Sequence, residues 1–135
     1  MKISFINFIL FCFVLSCKDA IRKIPEDPVS AGRYFIDASL KGDYKEARKY
    51  ILADSLNLMY FERASDFYKE MKPQEKEGYK NANIIIENNG IEKMSDSVTI
   101  IHYSNTFKNK SSTIKLVRFQ GEWLIDFKYT FNGNL

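Results

Sequence analysis

The chain predicts an α+β domain in which N-terminal helices pack on a curved antiparallel sheet. Three observations carry this. From Asp27 to Met71 apolar residues recur at helical spacing behind repeated aspartate caps; after Asn81 they alternate instead; and the change of period happens once, so helices and strands are segregated along the chain. Asn89-Gly90 and Gln120-Gly121 then mark turns in the alternating half.

Ahead of this domain stands a different kind of segment. Met1 and Lys2 give a short positive start, and Ile3 to Leu15 is almost wholly apolar, with Phe5, Phe8, Phe11 and Phe13 and only Ser4 and Asn7 as polar breaks. A transmembrane helix needs about 20 apolar residues, so this shorter run reads as a secretory leader over 1–16. Val14-Leu15-Ser16-Cys17 closes it and resembles the lipobox of bacterial lipoproteins, in which a cysteine after a small residue receives the lipid; it departs from the commonest form in carrying Leu15 where a small residue is usual. The resemblance implies a membrane anchor at Cys17 and export to a periplasmic or surface-facing position. Each buried methylene contributes about 0.8 kcal/mol, so a diacylglyceryl thioether with an N-acyl chain holds stably where one chain would not. The alternative is a plain secreted chain cleaved near Ser16. Loss of the leader removes Cys12 and leaves Cys17 without an intrachain disulfide partner, which favours lipidation.

The remainder suits one domain: Cys17 and a polar tether to residue 26, then 27–135. With Lys2 lost in the leader, the remaining basic residues exceed the 17 acidic ones by two. They are interleaved with acids, as in Lys45-Glu46 and Glu75-Lys76-Glu77, which argues for a solvated surface and against a nucleic-acid partner.

Asp27 caps the first helix, with Pro28 in its first turn and Gly42 just past its end, and Val29, Gly32, Phe35, Ile36 and Leu40 fall near helical spacing. Asp43, with Glu46 three residues on, starts a short second helix bearing Ala47, Tyr50 and Ile51. Asp54-Ser55 opens a third, whose stripe of Leu56, Met59, Tyr60, Arg63, Ala64, Phe67 and Met71 runs to Lys72-Pro73. Residues 74–80 hold either one more turn or a loop, with Gly78 favouring the loop. A strand over 82–88 is expected to turn back at Asn89-Gly90 into 91–94, and Ser95-Asp96 turns again into a longer strand over 97–107. The triplet Asn109-Lys110-Ser111 reads as a turn. Strands over 113–119 and 122–131 form the last hairpin, the final strand placing Trp123, Ile125, Phe127 and Tyr129 on one face.

Asp27-Pro28 through Leu40, the Gly42-Asp43-Tyr44 link and Gly121-Glu122-Trp123-Leu124-Ile125-Asp126-Phe127 resemble small lipoproteins of the nuclear-transport-factor-2-like, cystatin-like superfamily, and within it the domain of unknown function 4878 group. The resemblance implies a cone-shaped fold and transfers no catalytic residue.

Candidate site residues are Tyr34, His102, Tyr103, Trp123 and Asp126, taken as lining the cone cavity. His102 is the single histidine, and with Asp126 it supplies the pair that an acid/base reading would need; the plainer reading is a strand histidine satisfied by a hydroxyl or water. The tyrosines at 34, 50, 60, 68, 79, 103 and 129 serve either as core or as the wall of a pocket for a flat ligand. One histidine and scattered carboxylates provide no metal set, there is no Gly-rich phosphate loop or nucleophile elbow, and no cofactor is expected. Function is thus read as non-catalytic binding of a small molecule or short peptide. The second reading is an envelope interaction module that uses the open sheet face or a homodimer through it, and an acid/base enzyme comes third.

Overall fold

Helix α1 (Pro28–Leu40) begins where Asp27 Oδ1 accepts the Ser30 N–H at 2.8 Å and Pro28 fills the first turn, where its missing donor is not needed. The computed structural model describes residues 24–132; the predicted leader, Cys17 and most of the tether lie outside the described residues. At the far end of α1 the Asp43 N–H reaches Ala38 O at 2.9 Å and the Gly42 N–H reaches Ser39 O at 3.1 Å, a left-handed stop that Gly42 permits with φ of 74°. One face of α1 buries Ala31, Phe35 and Ile36. Gly32 lets that face approach the sheet, since a Cβ there would lie 3.0 Å from Ile101 Cδ1.

Helix α2 (Tyr44–Ala47), capped by Asp43, runs into a 3-10 turn, Arg48–Tyr50. Helix α3 (Ser55–Glu70) starts where Asp54 Oδ1 accepts the Asn57 N–H at 2.9 Å. The segment Pro73–Lys80 is a further helix, α4, which corrects the preference for a loop at Gly78. Its reason is tertiary: the Phe107 ring lies on Gly78, where a Cβ would come within 2.4 Å, and the same ring meets Tyr79 edge-on at 5.1 Å. The intrinsic helix cost of glycine, about 1 kcal/mol, is offset by that packing. Among the described residues no helix is long and apolar enough to cross a membrane.

The second half is a four-stranded antiparallel sheet in the order β1-β2-β3-β4: β1 (Ile84–Ser95), β2 (Val98–Asn105), β3 (Ser112–Phe119) and β4 (Glu122–Ile125). Two expectations are corrected here. Asn89-Gly90 does not reverse the chain; β1 runs straight through it, pairing Ile86 with Tyr103 before it and Ile91 with Ile101 after it. The stretch 87–90 bulges opposite His102, with Asn89 at φ 56° and Gly90 pressed against the His102 carbonyl, where a Cβ would be 2.7 Å away. The backbone freedom that favours a two-residue hairpin equally serves a bulge, and continuous pairing with β2 decided between them. The reversal comes at Asp96-Ser97, flanked by the Ser95–Val98 pair.

The final strand also stops early, at Ile125, and 128–132 is a short helix, α5 (Lys128–Asn132). The Lys128 N–H leaves the ladder to donate to Asn57 Oδ1 at 2.8 Å, and Phe127 turns inward against Phe35 and Phe61, at ring distances of 5.7 and 5.8 Å. Tyr129 accordingly leaves the face it was expected to share with Trp123 and Ile125, and lies under the Lys115 ammonium at 5.5 Å. The Gln120-Gly121 hairpin forms as expected, both residues at positive φ between the Phe119–Glu122 pair. The β4 edge is partly covered by the chain entering α3, where the Leu52 N–H donates to Ile125 O at 3.0 Å. Helices and sheet together enclose Phe35, Tyr50, Phe61, Ile101, Leu116 and Ile125 in one core.

Candidate functional site

A pocket of about 210 Å³ opens between α1, α2, α3, α4, β2 and α5. Its floor is Phe35, Phe61 and Phe127, and its walls carry Tyr44, Tyr68, Tyr79 and Tyr103. No charged side chain is among the lining residues.

Local sequence explains the arrangement. The left-handed stop at Gly42 swings the chain so that Tyr44, one residue past the Asp43 cap, faces inward; its ring meets Phe61 at 5.5 Å and Tyr68 at 5.6 Å. Gly42 has a second task, because a Cβ there would strike the Tyr68 ring at 2.4 Å. Tyr68 comes from the last turn of α3, Met71 from the residue just past its end, and Tyr79 from α4, the helix that Phe107 holds in place. Tyr103 reaches in from β2 on the same sheet face as buried Ile101.

The phenols sit close enough to sense one another. Burial pushes the Tyr44 hydroxyl up to about 12, and the neighbouring Tyr68, Tyr79 and Tyr103 add to the rise. Tyr103 is likewise raised to about 12 by burial, against a lowering hydrogen bond with Ser112. At neutral pH these groups are therefore uncharged donors and acceptors in an apolar setting, suited to orienting a ligand.

Of the five candidate residues, Tyr103 lines this pocket and the other four lie elsewhere. Tyr34 is half exposed on α1 and stacks on Tyr50 at 6.3 Å. Trp123 is buried at the opposite end of the sheet, beside Asp27, Pro28, Thr99 and Arg118. His102 points from the other sheet face, with Nδ1 3.0 Å from Thr113 Oγ1 and Nε2 2.5 Å from Glu92 Oε1. Asp126 is buried with Oδ2 3.3 Å from Lys115 Nζ and Oδ1 2.9 Å from Lys128 Nζ. His102 and Asp126 share none of these partners.

No family model, curated protein or solved structure matches this chain. The site thus rests on its own geometry.

Tyr44, Phe127 and Met71 are pocket residues that sequence reading does not single out. Tyr44 carries a signal, its place directly after a glycine stop and an aspartate cap. Phe127 carries none, because alternation places it in a strand that ends before it.

Asp126 belongs to a separate polar cluster. Asn57 is fully buried; its Nδ2 donates to Asp54 Oδ2 at 2.7 Å while its Oδ1 accepts the Lys128 N–H. Lys128 Nζ lies 2.9 Å from both Asp54 Oδ2 and Asp126 Oδ1. The Asn57 backbone hydrogen bond and Lys128 lower the Asp54 pKa, and hydrogen bonds to Asp54 and Asp126 raise that of Lys128. The cluster joins the start of α3 to the start of α5.

Proposed function

We propose that this chain is a cell-envelope lipoprotein, anchored through Cys17, whose domain binds a small apolar molecule or short peptide without catalysis. The order of helices and sheet is compatible with the cone-shaped, nuclear-transport-factor-2-like resemblance of the sequence. The observation that carries the reading is the pocket itself, a predominantly aromatic space with four phenols and no charged lining residue. Such a lining removes apolar ligand surface from water and leaves a few polar groups for orientation. Its titratable lining groups are tyrosines, and the two with raised pKa values stay protonated at neutral pH, which supports binding over proton transfer.

The interaction-module reading is less well supported, because His102 paired to Glu92 and Lys115 paired to Asp126 interrupt the outer sheet face between Ile85, Ile100, Val117 and Leu124, so that apolar surface does not run unbroken across it. Native mass spectrometry of the full chain, isolated from membranes, tests both. A monomer carrying an extra small-molecule mass is expected; a ligand-free dimer would move the function to the sheet face. Cys17→Ala is expected to shift the chain out of the membrane fraction, and unchanged partitioning would remove the anchor from the proposal.

A further inference from the structure

We infer that the occupant is a single-chain amphipathic carboxylate, its hydrocarbon in the tyrosine pocket and its head group at Arg63. The inference rests on the pocket being a binding site and adds the chemical class of what it binds.

A second concave surface adjoins the pocket. A groove of about 370 Å³ along α3 shares Tyr44 and Ala64 with it and is lined further by Tyr60, Arg63, Phe67 and Phe131. The spacing of Tyr60, Arg63, Ala64 and Phe67 puts all four along one side of the helix. Phe67 is 66% exposed and Phe131 44%, although Phe131 stacks on Tyr60 at 5.1 Å. The groove therefore keeps large apolar surface in water next to the pocket with which it shares Tyr44 and Ala64, and a hydrocarbon chain lying across both would cover it.

Arg63 gives the path a polar end. It is the charged residue of the groove lining, and among the described residues it has no carboxylate partner; adjacent Glu62 is paired to Arg48, and Asp66, one turn away, to Lys69. A guanidinium presents a planar fork of donors that fits a carboxylate. A cationic ligand is disfavoured on two counts. Arg63 repels it, and the rings it would seek are already engaged, Tyr68 by Lys76 at 5.6 Å and Tyr79 by Lys108 at 5.6 Å. The small volume of the inner pocket favours one chain over a two-chain lipid.

The test is equilibrium binding of radiolabelled decanoate, decanol and decyltrimethylammonium to the full chain in lipid nanodiscs, with empty nanodiscs as the blank. Decanoate is expected to bind about tenfold more tightly than decanol, and the cation most weakly. Arg63→Gln, at an exposed helix position, should reduce decanoate binding about tenfold and leave decanol unchanged. Ala64→Trp, which puts a bulky ring into the wall that groove and pocket share, should abolish both. Equal binding of decanoate and decanol to the unsubstituted chain would overturn the carboxylate inference while leaving the pocket as a binding site. Unchanged decanoate binding by Arg63→Gln would overturn the role of Arg63, and tighter binding of the cation would overturn the charge assignment. Failure of all three ligands to bind would overturn the pocket reading itself.

Discussion

Two regions flank α3 and differ in nearly every physical respect. Toward α1 and α4 lies the tyrosine pocket, apolar and with space left in it. At the start of the same helix lies the cluster of Asp54, Asn57, Asp126 and Lys128, in which charges and amide groups are matched at close distance. Buried polar groups are tolerable when paired. Here the Asn57 amide meets its partners within the cluster while Asp126 Oδ1 has the Lys128 ammonium beside it without a well-aligned hydrogen bond, so the cluster holds elements together. Aromatic walls tolerate an empty space more easily, because phenyl faces lose only dispersion contacts there. The contrast gives the cluster a structural part and leaves the pocket as the place where the proposed ligand would sit.

The greatest loss should come at Asn57. Asn57→Ala strips Asp54 and the Lys128 N–H of buried partners and should cost about 3 kcal/mol in urea unfolding, with ligand affinity of the folded chain unchanged. Gly42→Ala should act on the other region. Left-handed backbone costs an alanine about 1–2 kcal/mol, and the new methyl must displace Tyr68, so both stability and pocket binding should fall. An unaltered affinity would show that Tyr68 is not a wall the ligand uses. Removal of a cap remote from both regions, Asp27→Ala, should cost about 1 kcal/mol and leave binding intact.

pH separates the regions with opposite signs. Asp54 titrates below its ordinary 3.8 in the folded chain, so its contribution is present above that value and is lost as pH falls through the folded pKa. Acid should therefore loosen the polar cluster, seen as a falling urea midpoint that Asp54→Asn flattens. Tyr44 and Tyr103, raised to about 12, contribute stability fully present below their ordinary 10.0 and lost as pH rises through the folded value. Tyrosinate absorbance should show two late groups that ionise together with opening of the pocket; ordinary titration of every tyrosine near 10.0 would contradict their burial.

Much of the architecture is legible locally. The caps at Asp27, Asp43 and Asp54, the stop at Gly42 and the Gln120-Gly121 hairpin all follow from short-range backbone chemistry, and each forms at its expected position. The helix-then-strand order is equally readable, because periodicity reports which face is buried. The candidate site is legible only in part. Alternation puts Tyr103 on the face of Ile101 and so into the pocket, and the same alternation puts His102 on the other face; whether Asp126 shares the site depends on which faces meet, and no short-range pattern carries that.

Residue chemistry within a turn or two set the class of the domain, its caps and its punctuation. Long-range contacts chose the rest. Pairing with β2 made Asn89-Gly90 a bulge, the Phe107 ring made the Gly78 segment a helix, and the Asn57 amide ended the last strand at Ile125 and turned Phe127 into the pocket floor. In each case the local conformational preferences differ by about 1 kcal/mol or less, and a contact made by a residue distant in the chain was enough to choose between them.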